Sequence, residues 1–210
     1  MVFHNSQRLE MMLKRRVSTS LQQKDVPAHG ISIEDLMNGY TQINKDQLNA
    51  KMLIIPSGMG GLNMGVLKKY NNVMIATGID HHYVNNDESF QNFIRQIKEF
   101  TPDVIVAGSR GTELVARVLS SDNKSELVKN CKILLFGPVY LQDLLCKNNV
   151  HNNAIIIVHG KHDMNERIEM VRSAVETCDC KQVCTLIETN HGHDMSMDEC
   201  MMDRIVRYVM

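Results

Sequence analysis

From Lys51 onward, short apolar runs alternate with segments of helical period, and this alternation limits the possible folds more than any other feature. The runs are MLIIP (52–56), VMIAT (73–77), VIVAG (104–108), KILLFG (132–137), AIIIVHG (154–160) and VCTLIE (183–188). They are short, rich in branched aliphatic residues and followed by turn formers, which reads as strands. Helical patterns fall between or after them at 88–100, 112–121, 140–147, 164–177 and 198–209. A strand that is apolar throughout is buried on both faces, which requires a parallel sheet covered by helices on each side. The expected class is therefore α/β: a mostly parallel, doubly wound sheet of about six strands in a three-layer arrangement. Right-handed crossovers place the C-terminal ends of the strands along one edge, where open sheets build their sites.

A chain of 210 residues, 43% of them hydrophobic, supplies one sizeable core rather than two. The expected division is an N-terminal extension over 1–30, helical or partly disordered, and one domain over 31–210. The extension is polar and basic around Lys14, Arg15 and Arg16, with an amphipathic helix expected from about Gln7 to Val17. A targeting helix or a modification site at Ser18 competes there with a solvated cap, the commoner role of such a face. The net charge of -1 provides no global field for nucleic acid or an anionic membrane. Runs such as AIIIV (154–158) fall far short of the roughly 20 apolar residues a bilayer requires, so stable membrane insertion is not expected. With no signal peptide read in the sequence, Cys131, Cys146, Cys178, Cys180, Cys184 and Cys200 are expected as reduced thiols in a cytoplasmic protein. The CDCKQVC segment has no convincing fourth zinc ligand.

The chemistry concentrates around DVIVAGSRGTELVARVL (103–119), where an apolar run crosses a tight turn into a helical pattern with Ser109 at its sharpest point. Ala107, Gly108 and Gly111 are small enough for a strand to cross closely onto a helix and lift the serine hydroxyl above the sheet edge. The start of that helix directs partial positive charge at the same place, which suits a developing oxyanion. A phosphate-binding turn would use the same features. A serine hydroxyl is a weak nucleophile until a histidine held by a carboxylate takes its proton. Asp163 follows the strand AIIIVHG, and His191 and His193 follow VCTLIE, so Ser, Asp and His lie in that order after successive strands.

From about Lys51 to its end the sequence resembles the α/β-hydrolase family, in the elbow AGSRG, the acid loop HGKHD and the histidine loop HGHD. The resemblance implies a three-layer sandwich with Ser109 as nucleophile, Asp163 as orienting acid and His193 as general base. It further implies an oxyanion hole from the backbone N–H groups of Met59, in the loop PSGMGGLN, and Arg110. Two positions depart from the family pattern: Ser57 stands where a histidine is usual and Ala107 where the first elbow glycine is usual. No cofactor is implied, and the expected partner is a small-molecule ester or thioester.

Several assignments stay open at this level. His191 competes with His193 as the base, and Asp143 with Asp163 as the acid; His162 and Asp194 either tune the site or are merely solvated. The Arg110 guanidinium either attracts a substrate anion or pairs with a surface carboxylate. Gly58, His81, His82 and Tyr83 are candidate pocket residues, although plain loop polarity explains the latter three equally well. The histidine-rich loops also admit a zinc-dependent hydrolase, a reading that leaves Ser109 unexplained. The same fold serves as a non-catalytic ligand-binding or interaction module in a third reading. The short connection over 138–153 leaves little room for a lid, which favours a small soluble substrate.

Overall fold

The apolar runs form the strands, and the helical patterns form helices between and beyond them. The computed structural model describes residues 31–32, 49–55, 70–80, 86–121, 125–146, 153–178, 184–193 and 199–210. The expected helix at Gln7–Val17, the loop with Gly58 and Met59, and His81, His82, Tyr83 and Asp194 lie outside these residues. In chain order the elements are β1 (Ile31–Ser32), β2 (Met52–Ile55), β3 (Val73–Ile75), α1 (Asp87–Phe100), β4 (Val104–Gly108) and α2 (Gly111–Leu119). They continue with β5 (Lys132–Phe136), α3 (Leu141–Cys146), β6 (Ile155–Gly160), α4 (Ile168–Thr177), β7 (Cys184–Thr189) and α5 (Glu199–Val209).

The strands make one sheet in the order β1-β7-β6-β5-β4-β2-β3, with each pairing parallel. Six of them are the expected runs. The seventh, β1, is a two-residue strand beside β7, too short to show any periodicity in sequence. From β2 the chain steps outward to β3, returns across β2 to β4, and then advances through β5, β6 and β7. Helices α1 to α4 cover one face, where Phe93, Leu114, Leu144 and Val171 pack on Leu53, Ile105, Ile133 and Ile155. The other face receives α5, whose Met202, Ile205 and Val206 pack with Ile54, Val106, Leu134 and Ile156. Neighbouring strand residues thus point into different cores, which is why the runs are apolar at every position.

Local chemistry fixes most element ends. Asn86 caps α1 by accepting the Ser89 N–H at 2.6 Å, and Asp87 and Glu88 lie in the first turn where the helix dipole favours them. Thr101 ends the helix at a φ of 48°, and Pro102 follows it. Helix α4 begins at Ile168 rather than near 164 because the intervening backbone turns back on Asp163. Its carboxylate accepts the N–H groups of Asn165 and Glu166 at 2.8 and 3.3 Å, a local bond that competes with helix formation. At the end of the sheet, Lys132 Nζ donates to the carbonyls of Val209 and Met210 at 2.6 and 2.8 Å, satisfying acceptors that the last turn of α5 leaves open.

Phe93 is fully buried between α1 and the sheet. Phe93→Ala should cost about 3–5 kcal/mol and lower the denaturation midpoint with little change in slope. A midpoint equal to the wild type would show that α1 does not share the central core.

Arg172 of α4 donates to both carboxylate oxygens of Glu188 on β7, at 2.8 and 2.7 Å, and ties the helix to the sheet edge. Those bonds hold the Glu188 pKa below the ordinary carboxylate value, against the opposing effect of burial. A lowered folded-state pKa stabilises the protein above the usual carboxylate range, and the contribution disappears as pH falls through the folded value. Because Arg172 is 44% exposed, Arg172→Ala should cost at most about 1 kcal/mol at pH 7. The variant and wild-type stabilities should converge in acid, and a pH-independent gap in thermal unfolding would contradict the pairing.

Candidate active site

The turn after β4 places Ser109 at the C-terminal edge of the sheet. Its backbone has a φ of 46°, a left-handed conformation uncommon for residues other than glycine. Hydrogen bonds on both sides hold it there. The Ser109 N–H donates to the Phe136 carbonyl of β5 at 2.9 Å, while its own carbonyl accepts the Thr112 N–H at 3.0 Å and the Thr112 hydroxyl at 2.6 Å. Gly111 allows α2 to start immediately, since a Cβ there would lie 2.9 Å from Ile55 Cγ2.

Three strand ends then converge. His193, after β7, puts Nε2 2.7 Å from Ser109 Oγ and Nδ1 2.8 Å from Asp163 Oδ2. An ionised carboxylate only accepts hydrogen bonds, so Nδ1 carries the imidazole proton and Nε2 is left to accept from the serine hydroxyl. The acid is sealed from solvent, with its side chain 0% exposed, while the imidazole is 25% exposed. Asp163 Oδ1 receives the Asn165 and Glu166 N–H groups, which leaves Oδ2 to the histidine. The result is a directed chain of hydrogen bonds running from a buried carboxylate to a strained serine.

No protein-family model and no curated relative matches the sequence. Solved structures do match the fold. A hydrolase assigned to the alpha/beta superfamily from Xanthomonas campestris pv. campestris is 14% identical with a TM-score of 0.54, the alignment covering 76% of this chain and 96% of that one. The esterase domain of a Rhodothermus marinus protein is 11% identical at a TM-score of 0.53, over 80% of this chain and 88% of that one. Thermogutta terrifontis esterase 2, in a form phosphorylated by paraoxon, is 16% identical at 0.53, over 75% and 79%. The fold is that of the α/β hydrolases.

Within this α/β-hydrolase fold, two glycines that the sequence reading did not single out lie where the loops meet. A Cβ on Gly160, the last residue of β6, would lie 2.1 Å from the His191 carbonyl oxygen and 2.8 Å from that of Gly192. The histidine loop therefore crosses directly over Gly160. Gly137, the first residue after β5 and level with His159 in the sheet, has a φ of 47°; it lies beside the relay, where a Cβ would make ordinary contacts with the His193 carbonyl oxygen at 3.4 Å, His193 Nδ1 at 3.5 Å and Asp163 Oδ2 at 3.7 Å. Their signal in sequence was the plain adjacency of each glycine to a strand end, which many turns share.

The other candidates take different places. His191 stands beside the relay, its carbonyl accepting the His162 N–H at 3.1 Å, while the imidazole at Ser109 is that of His193. Asp143 is exposed in the first turn of α3, and the carboxylate bonded to His193 is that of Asp163. The Arg110 guanidinium lies 3.7 Å from Glu113 Oε1, one helical turn on, in a surface ion pair. Among the described residues no three His, Cys, Asp or Glu side chains are grouped as ligands for a metal ion. Among the described residues, Cys131, Cys178, Cys184 and Cys200 form no disulfide.

Gly160→Ala sets the new methyl group against backbone that has little room to retreat. It should destabilise the protein by about 1–3 kcal/mol, as overpacking does, and displace His193 from Ser109. Thermal unfolding with a structure of the variant checks both effects; an unchanged histidine loop would show that the approach relaxes without cost.

Proposed function

We propose that this chain is a serine hydrolase that cleaves small esters or thioesters through an acyl-enzyme. The observation that supports the reading most directly is the unbroken Asp163–His193–Ser109 hydrogen-bond relay ending on a serine at a left-handed strand-to-helix turn. His193 Nε2 takes the Ser109 proton as Oγ attacks the substrate carbonyl, and Asp163 stabilises the imidazolium that forms. The Arg110 N–H has no acceptor among the described residues and lies at the start of α2, where it suits the developing oxyanion. Met59 is proposed as the second donor from the loop after β2. Collapse of the tetrahedral intermediate expels the alcohol or thiol, which receives its proton from His193. A water molecule then attacks the acyl-serine, His193 accepts its proton, and release of the carboxylic acid restores Ser109. No cofactor takes part in these steps. The short connection between β5 and β6, in which α3 spans six residues, favours a small soluble substrate over a lipid interface.

Thermogutta terrifontis esterase 2 is phosphorylated by paraoxon, which suggests the same class of reagent as a test. A fluorophosphonate probe should label wild-type protein at Ser109, as read by peptide mapping. Ser109→Ala should abolish that labelling, and Asp163→Asn should slow it by roughly 10⁴-fold, the loss known for a mis-set histidine tautomer. A folded wild type that takes no label would remove the acyl-enzyme mechanism.

A further inference from the structure

One buried titratable group beside the relay has no part in the steps above. His159, on β6, is 0% exposed, at the position after Val158 where the run of aliphatic residues stops. Its Nε2 lies 2.7 Å from the Glu166 carbonyl oxygen and 3.7 Å from Asp163 Oδ2. A carbonyl oxygen only accepts, so Nε2 carries a proton and donates it to Glu166. The other ring nitrogen, Nδ1, is buried with no hydrogen-bond partner among the described residues. Burial of a polar atom without a partner disfavours folding, and leucine or isoleucine would fill a strand position without that penalty. A requirement for packing alone therefore does not account for an imidazole here.

The bond from His159 closes the acid loop on itself. Residues 160–166 leave β6 at Gly160 and return so that the Glu166 carbonyl reaches back to the His159 ring. With that carbonyl fixed, the Asn165 and Glu166 N–H groups point inward at Asp163 Oδ1, and Oδ2 is presented to His193. Beyond the loop, the Glu166 side chain accepts the Tyr140 N–H at 3.3 Å, linking it to the turn after β5.

We infer that His159 is a positioning residue: its Nε2–H, through the Glu166 carbonyl, sets the direction in which Asp163 presents its carboxylate to His193. This rests on the proposed hydrolase reading for its effect on rate, but the geometry is open to a measurement that needs no activity.

The test compares wild type, His159→Leu and His159→Gln. Glutamine places an amide N–H near the position of the imidazole Nε2 and so keeps the donor, whereas leucine fills the site without one. Proton NMR would follow the far-downfield resonance of the His193 Nδ1–H bonded to Asp163, and the fluorophosphonate labelling rate at Ser109 would be measured across pH. His159→Leu should fold, lose or broaden the resonance, and label up to about 100-fold more slowly at saturating probe with little change in probe affinity, the scale of an ångström-level misplacement. His159→Gln should recover the resonance and most of the rate. If both variants keep the wild-type resonance, His159 does not position the acid, whatever the labelling shows. If leucine and glutamine lose it alike, the Nε2–H donor is not the cause and the inference is overturned. A resonance that depends on the donor in a wild type that takes no label would uphold the positioning role and sink the hydrolase reading, so the two failures are distinct.

Discussion

Parallel pairing of β4, β5, β6 and β7 in continuous register is the constraint from which the site follows. Gly108 pairs with Phe136, Phe136 with Val158, and Val158 with Ile187, so the ends of β4 and β5 lie in one row with residues two short of the ends of β6 and β7. Ser109, Gly137, His159 and Glu188 are the next residues in that row. A slip of one residue in any of these strands would exchange the side chains that pack at fixed positions in its two cores and shift the loop that follows it. The burial of alternate residues in two separate cores therefore secures a register that also aligns the reactive loops.

Close backbone approach completes what register begins. A row of strand ends about 5 Å apart does not by itself bring a serine, a histidine and an aspartate within hydrogen-bond distance. The histidine loop folds across Gly160, a contact that depends on a missing Cβ, while Gly137 beside the relay supplies a left-handed turn at a φ of 47°. On the acid side, Asp163 spends one oxygen on its own loop and reserves the other for His193. The strained φ of Ser109 is held by its bond to β5 and by Thr112, so local strain is maintained by neighbouring structure rather than by the turn itself.

Different parts of the molecule were legible in the sequence to different degrees. The strands were readable because a parallel sheet buried on both faces must be apolar throughout, as in Ile155 to Val158. Helix α1 was readable because its apolar residues recur at helical spacing. The start of α4 was displaced because an aspartate side chain took the backbone N–H groups that a helical reading assigns elsewhere. Strand β1 left no pattern, since a two-residue strand is defined only by its partner. The role of His159 was hidden for a related reason: at the end of the run AIIIVHG nothing local shows that its imidazole is buried or that it meets the Glu166 carbonyl.

The sequence by itself determined the class of fold, the succession of strands and helices, and the order in which a serine, an aspartate and a histidine follow successive strands. These properties depend on hydrophobic period and on residue types within a few positions of one another. Tertiary structure decided that His193 rather than His191 reaches Ser109, that Asp163 rather than Asp143 reaches His193, and that Arg110 turns to Glu113. Each of those outcomes depends on contacts between residues far apart in the chain, where an ångström separates a hydrogen bond from a near miss. Local sequence does not encode such distances; the packing of the sheet and the glycine crossings set them.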